Sequence, residues 1–220
     1  MENKLKIDRS DRLYLEELNS SVTKFSPAEI ISKALLISKS PVITSSFGPF
    51  SGTILHALVA QKPDIKVIWV DTGYNTKYTY QYAFDLIKKL KLNVFIYVPK
   101  TSVGYRNIEL GIPSINEPEH EIFTHQVKIE PFNRAMKLHK PDVWFTNLRA
   151  GQTDYRDSID VFSMSSDGLL KVSPFYSFSD EKMNAYLKKH KLLNETRYYD
   201  PTKQVSNREC GLHLQTNKHS

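Results

Sequence analysis

Cysteine is the scarcest informative residue in this 220-residue chain, with Cys210 as its single example. One thiol closes no intramolecular disulfide. Nor can it furnish the several thiolates of a structural zinc site, or the roughly four that hold an iron–sulfur cluster. Long apolar runs are missing too: nothing approaches the ~18 to 20 apolar residues of a membrane span, and the start, Met1-Glu2-Asn3-Lys4-Leu5-Lys6, has no apolar signal core. No association with a membrane is expected, and a cytoplasmic location, where a free thiol stays reduced, is. Glycine is limited to 8 residues, and neither G-x-G-x-x-G nor the Walker pattern occurs, so a dinucleotide fingerprint and a P-loop both lack support. The absence of repeats, glycine/serine linkers and low-complexity tracts excludes solenoids, fibres and disordered tails.

What is present fits one compact domain with a small appendage: 40% of residues are hydrophobic and 25% charged. Lysine and arginine total 30 against 24 acidic residues, a formal charge of +6 that is spread along the chain. That balance suits an anionic partner such as a nucleotide, a nucleic acid or an acidic protein face. Nucleic acid is the weakest of these, because no basic stripe with interleaved aromatics of the single-strand-binding kind occurs.

Along the chain, a polar stretch with a short amphipathic helix around Leu13, Leu15 and Leu18 is followed by Ser26-Pro27-Ala28-Glu29. This is a capping box with proline at the first helical position, opening a helix from about 27 to 39. Four runs then read as buried parallel strands: 41–46 (PVITSS), 66–71 (KVIWVD), 93–98 (NVFIYV) and 142–147 (DVWFTN). Helical patterns at 53–60, 79–90 and 132–139 alternate with them. The order predicts an α/β fold, a twisted and mainly parallel sheet with helices on both faces. After 157, two short strands at 159–163 and 169–172 flank the turn Ser166-Asp167-Gly168, and a helix runs from Ser179 to about His190. The organisation read from this is an N-terminal helical segment (1–40), an α/β domain (41–190) and a mobile C-terminal segment (191–220).

In open α/β sheets ligands bind beyond the carboxyl ends of the strands, so the residues just after each strand are the candidates. The first set is Ser45, Ser46, Phe47, Gly48 and Ser51, where small residues at a strand-to-helix turn let backbone amides and hydroxyls approach an anion. The second is Asp71, Thr72 and Gly73, a carboxylate placed to accept from ribose or adenine groups, or alternatively a helix-entry turn. The third is Lys128 and Arg134, then Arg149, Gln152 and Arg156; guanidinium forks suit phosphate and sulfate because they bind two oxygens at once. The fourth is Arg208-Glu209-Cys210-Gly211-Leu212-His213, where neighbouring cations favour the thiolate form of Cys210. Cys210 with His213 provides only two ligands and does not close a metal site.

Taken in order, Thr44-Ser45-Ser46-Phe47-Gly48, Pro63-Asp64-Ile65, Val70-Asp71-Thr72-Gly73-Tyr74, Lys128-Ile129-Glu130-Pro131-Phe132-Asn133-Arg134-Ala135, Leu148-Arg149 with Gln152 and Arg156, and Glu209-Cys210-Gly211-Leu212-His213 resemble the phosphoadenosine phosphosulfate (PAPS) reductase family of the PP-loop adenine nucleotide α-hydrolase group. The resemblance implies that the Ser45–Gly48 loop holds the phosphosulfate end, the Asp71 loop the adenosine, and Arg134, Arg149 and Arg156 the anionic groups. It implies Cys210 as the nucleophile, with His213 beside it, forming an S-sulfocysteine that thioredoxin or glutaredoxin then releases as sulfite. It also implies no bound cofactor and a role in sulfate assimilation, and it is compatible with a homodimer.

Relatives acting on adenylyl sulfate commonly carry paired cysteines for a [4Fe–4S] cluster, so PAPS is the substrate expected. A cluster-free adenylyl-sulfate reductase and a divergent ATP-dependent sulfur-transfer enzyme are the alternatives. The latter typically reads Ser-Gly-Gly-x-Asp-Ser, an aspartate that Ser45-Ser46-Phe47-Gly48 lacks. Two positions depart from the family pattern. Ala150 stands where a second basic residue is usual, and Arg197-Tyr198-Tyr199-Asp200-Pro201-Thr202-Lys203 stands where a Gly-Tyr-x-Ser-x-Gly-Asp stretch is.

Overall fold

The computed structural model describes residues 12–165 and 167–203. Their strands are β1 (Pro41–Thr44), β2 (Lys66–Val70), β3 (Asn93–Tyr97), β4 (Val143–Phe145), β5 (Phe162–Met164) and β6 (Leu170–Val172). They form one sheet in the order β3-β2-β1-β4-β6-β5, parallel throughout except for the β5–β6 pair. The helices are α1 (Arg12–Val22), α2 (Pro27–Leu36), α3 (Ser51–Val59), α4 (Lys77–Leu90), α5 (Val103–Glu109), α6 (Glu119–Thr124), α7 (Glu130–His139), α8 (Asp154–Asp157) and α9 (Asp180–Lys189), with a π-helical turn at His125–Ile129 joining α6 to α7.

Strand order explains the layering. From β1 the chain steps to β2 and β3 in one direction, each time through one helix, α3 and then α4. It then returns to place β4 on the other side of β1. A right-handed crossover taken in the reverse direction must lie on the opposite face, so α7 covers the face that α3 and α4 do not. Alternation along the strands matches this. Ile43, Val67 and Trp69 join α2, α3, α4 and α9 in the larger core, while Val42, Ile68 and Trp144 meet Phe132 and Ala135 of α7. The direction change opens a crevice between the carboxyl ends of β1 and β4.

Local signals account for the elements that matter here. Ser26 accepts the Glu29 amide while the Glu29 carboxylate accepts the Ser26 amide at 2.7 Å, which is the capping box expected from the sequence. Leu18 and Val22 of α1 and Ile30, Ile31 and Ala34 of α2 share the larger core with β1, so both helices pack on the face of the sheet that α3 and α4 cover. On α1, Asn19 exchanges two hydrogen bonds with the backbone of Phe162 and so covers the edge strand β5. Helices α5 and α6 and the π-helical turn are additions to the sequence reading; α5 (VGYRNIE) and α6 (EHEIFT) are too short for an apolar stripe to register. Ser166 of the expected β5–β6 turn lies outside the described residues.

Candidate functional site

The site begins with the loop after β1. The Ser45 amide extends the sheet by donating to the Ile68 carbonyl at 3.0 Å, and the Ser45 hydroxyl accepts the Phe47 amide at 3.1 Å. Two bulky residues, Phe47 (φ 52°) and Phe50 (φ 60°), then sit in the left-handed region, which costs roughly 1–3 kcal/mol each for a residue with a Cβ. Burial holds them there. The Phe47 ring is wholly inaccessible and meets Trp69 edge-on at 4.8 Å. Phe50 lies under the Arg149 guanidinium at 4.9 Å, and its amide donates to Asn194 Oδ1 at 2.7 Å. The Gly52 amide, in the first turn of α3, donates to the Tyr82 hydroxyl at 3.2 Å. Among the described residues the amides of Ser46 and Gly48 make no hydrogen bond, so this strained loop leaves two donors at the start of α3 for an anion.

These donors border a cavity of about 630 Å³ at the carboxyl ends of β1, β2 and β4. Ser45, Ser46, Gly48 and Ser51 line one side, and Thr146, Asn147, Arg149, Gln152 and Arg156 line another. Lys128 and Phe132 form its third wall, and Tyr198, Tyr199, Asp200 and Lys203 lie across it. Of the residues expected from the sequence, eight therefore meet in one volume: Ser45, Ser46, Gly48, Ser51, Lys128, Arg149, Gln152 and Arg156.

Arg149, Arg156 and Lys128 are each held by specific partners. Arg149 is 4% exposed; it pairs with Asp180 at 2.7 Å, donates to the Phe178 carbonyl at 3.0 Å and stacks on Phe50. Arg156, on α8, donates to Gln152 Oε1 in the loop just before that helix. Lys128 is presented by the π-helical turn, a distortion frequent at functional sites because it shifts side chains off the helix's regular face. Its ammonium donates to Asp200 Oδ2 at 2.5 Å and to the Thr202 hydroxyl at 3.2 Å. Burial works against an ionised Asp200, but the Lys128 charge and hydrogen bond, with those from Thr202, outweigh it and hold the carboxyl below its ordinary range.

A carboxyl whose native value is lowered stabilises the fold above its unfolded value and loses that contribution as pH falls through the native one. The gap in unfolding free energy between the wild type and Asp200→Asn should therefore shrink as the pH is taken below about 4. Denaturant titrations over that range check it; a gap that stays constant to pH ~2 would contradict the pairing.

The residues after α9 form a strap over the site. Leu192 joins the larger core, Asn194 holds the Phe50 amide, and the Arg197 carbonyl accepts from Thr76 while its guanidinium stacks 3.3 Å from the Tyr78 ring centroid. Tyr198 then lies on Gly48, where a Cβ would come within 3.2 Å of its ring, and Asp200 reaches Lys128. Glycine at position 48 thus permits the strap's close approach.

The remaining expected residues lie elsewhere. Phe47 packs in the core behind the loop. Asp71 builds the turn after β2, accepting from the Gly73 amide at 3.0 Å, Asn75 at 2.9 Å and the Tyr80 hydroxyl at 2.8 Å; burial first, and this bond second, push the Tyr80 phenol up to about 12. Thr72 accepts the Tyr74 amide, and Gly73 (φ 82°) has no room for a Cβ, which would fall 2.4 Å from Val103. Arg134 pairs with Glu130, donates to the Val98 carbonyl at 2.7 Å and stacks on Tyr97, tying α7 to the end of β3. Asp71, Thr72, Gly73 and Arg134 are absent from the cavity lining, although Val70, immediately before Asp71, belongs to it. Cys210 and His213 lie outside the described residues. The strap residues Asn194, Tyr198, Tyr199 and Asp200 were not singled out from sequence. Their only signal is an aromatic pair beside an Asp-Pro turn in a stretch that departs from the family pattern.

The chain is similar to known proteins in sequence and in fold. Residues 40–199 match the phosphoadenosine phosphosulfate reductase domain model. A phosphoadenosine 5'-phosphosulfate reductase of Xylella fastidiosa is 33% identical, over 79% of this chain and 82% of its own length. One of Salmonella newport is 32% identical over 94% of each. Among solved structures, a phosphoadenylyl-sulfate reductase of Candida auris, in a phosphate complex, superposes with a TM-score of 0.75 at 22% identity, covering 84% of this chain and 89% of that one.

Proposed function

The chain belongs to the phosphoadenosine phosphosulfate reductase family, and from that premise we propose that its cavity binds 3'-phosphoadenylyl sulfate and that Cys210 accepts the sulfonate. It is an enzyme of this reductase class, acting in sulfate assimilation. The observation that carries the finer reading is the cavity at the β1/β4 crevice, bordered by Arg149, by Arg156 and by the Ser46 and Gly48 amides, which make no hydrogen bond among the described residues. Amides at a helix start suit the compact phosphosulfate, and guanidinium forks suit its phosphates. Lys203 lines the cavity, and the seven residues from there to Cys210 span at most ~25 Å, so the thiol is tethered within reach.

The chemistry proceeds in two displacements. The Cys210 thiolate, favoured by Arg208 and His213, attacks the sulfur of the phosphosulfate. A sulfur–sulfur bond forms, the sulfur–oxygen bond to the phosphate breaks, and adenosine 3',5'-bisphosphate leaves with the electron pair. A thiolate of thioredoxin or glutaredoxin then attacks Cys210 Sγ and expels sulfite, and the reductant's second thiol resolves the mixed disulfide. The reductant is oxidised to its disulfide as the sulfonate sulfur is reduced to sulfite, and Cys210 returns as a thiol.

The intact mass of reduced protein after incubation with PAPS, with adenylyl sulfate or with neither tests this. A single sulfonate on Cys210 with PAPS alone is the expected result. An adduct formed with adenylyl sulfate instead would reassign the substrate, and no adduct with either would sink the proposal.

A further inference from the structure

Resting on that reading, we infer that Asp200 is a positioning residue: its buried contact with Lys128 latches the strap over the anion cavity. The two side chains are only 9% and 6% exposed. A buried ammonium or carboxylate is strongly unfavourable without its partner, so lifting the strap at this point breaks a buried ion pair. Both carboxylate oxygens are used. Oδ2 accepts from Lys128, while Oδ1 accepts from the Thr202 amide at 3.0 Å and hydroxyl at 2.7 Å. The Asp200–Thr202 turn is therefore formed within the strap itself, and Lys128, 72 residues away in sequence, is its dock.

The other strap contacts are of a different kind. Asn194 and the Arg197 carbonyl make neutral hydrogen bonds, and Tyr198 packs on Gly48. Among the described residues the Asp200 contact is the strap's ion pair, and it lies ten residues before Cys210. It also separates the cavity cations by partner. Arg149 pairs with Asp180 on α9 and Arg156 with Gln152, whereas Lys128 is the cavity cation whose carboxylate comes from the strap.

Full-length protein and two readouts test the latch. Hydrogen exchange followed by mass spectrometry, which needs no substrate, should show residues 192–203 exchanging at least about tenfold faster in Asp200→Asn, because the buried pair is broken. Affinity for adenosine 3',5'-bisphosphate should stay within about threefold, while single-turnover sulfonation of Cys210 at saturating PAPS falls about 10- to 100-fold. The double variant Lys128→Gln with Asp200→Asn replaces the ion pair by a neutral hydrogen-bonded one and should recover most of that rate. Were Asp200→Asn not to fold, Thr202→Ala, which removes one support of the carboxylate and keeps both charges, should move the same readouts in the same direction.

Unchanged exchange in the strap overturns the latch. So does tighter bisphosphate binding with an undiminished rate, which would make Asp200 a competitor of the substrate. A double variant no faster than the single one would mean that the Lys128 charge acts on the substrate directly, and that overturns it too. Wild-type protein that takes up no sulfonate refutes the proposed function instead, and the exchange comparison still decides the latch.

Discussion

Replacing Cys210 by serine should abolish thiol-dependent sulfite formation, a loss on the order of 10⁴-fold or more, while leaving nucleotide affinity within a few-fold of wild type. The asymmetry is chemical. A thiol ordinarily titrates near 8.5, close enough to neutral pH for a thiolate fraction to form, whereas a serine hydroxyl yields essentially no alkoxide. Even a sulfated serine would stop the cycle. The second displacement needs a sulfur–sulfur bond for the incoming thiol to exchange, and a serine sulfate ester offers an oxygen–sulfur bond instead. Sulfite release assayed with thioredoxin and its reductase, beside calorimetric binding of adenosine 3',5'-bisphosphate, separates the two effects. Because the chain has no other cysteine, residual sulfite production cannot be assigned to a substitute thiol, and it would remove Cys210 from the mechanism.

Phe47→Ala should cost about 3–5 kcal/mol of folding stability, the range for emptying a buried aromatic site. Phe47 is fully inaccessible, its ring packs on Trp69, and its backbone is left-handed. Alanine keeps the Cβ and so keeps the backbone strain, but it discards the burial that offsets it. The loop should then relax toward ordinary φ values, and the amides of Ser46 and Gly48 should lose their common setting. Nucleotide affinity should fall together with stability. Phe47→Gly is the informative control, because glycine tolerates φ > 0 and should retain more of the loop geometry at comparable loss of packing. Urea denaturation and bisphosphate titration of both variants check this. An alanine variant of near wild-type stability would show that packing of Phe47 is not what holds the loop.

Much of the site was legible because its signals are local. The capping box at Ser26 and the β-branched runs at 41–46 and 66–71 depend on neighbours a few residues apart, and the structure shows an element for each. The serine-rich turn after β1 was visible for the same reason. Phe47 shows where such reading stops. It belongs to the same short motif as Ser46 and Gly48, yet its ring packs into the core while their amides find no partner among the described residues, and only φ and the Trp69 contact reveal this. Arg134 and Arg149 look alike in sequence as well. One ties α7 to β3 at the surface, and the other is buried at the cavity with Asp180 and Phe50. The difference follows from which face and which strand end each element reaches.

By itself, the sequence determined the fold class, the placement of the candidate loops at strand ends and the single thiol on which the chemistry can be tested. All of these are properties of residue type and short spacing. Only the tertiary structure decided which cations share a cavity, and that Lys128 meets Asp200 there instead of standing open to a ligand. That pairing joins residues 72 positions apart through a return crossover and a strap, and no local periodicity encodes it. Its physical basis is burial: once the strap crosses the sheet's carboxyl edge, the Lys128 ammonium is cut off from water and needs a carboxylate beside it.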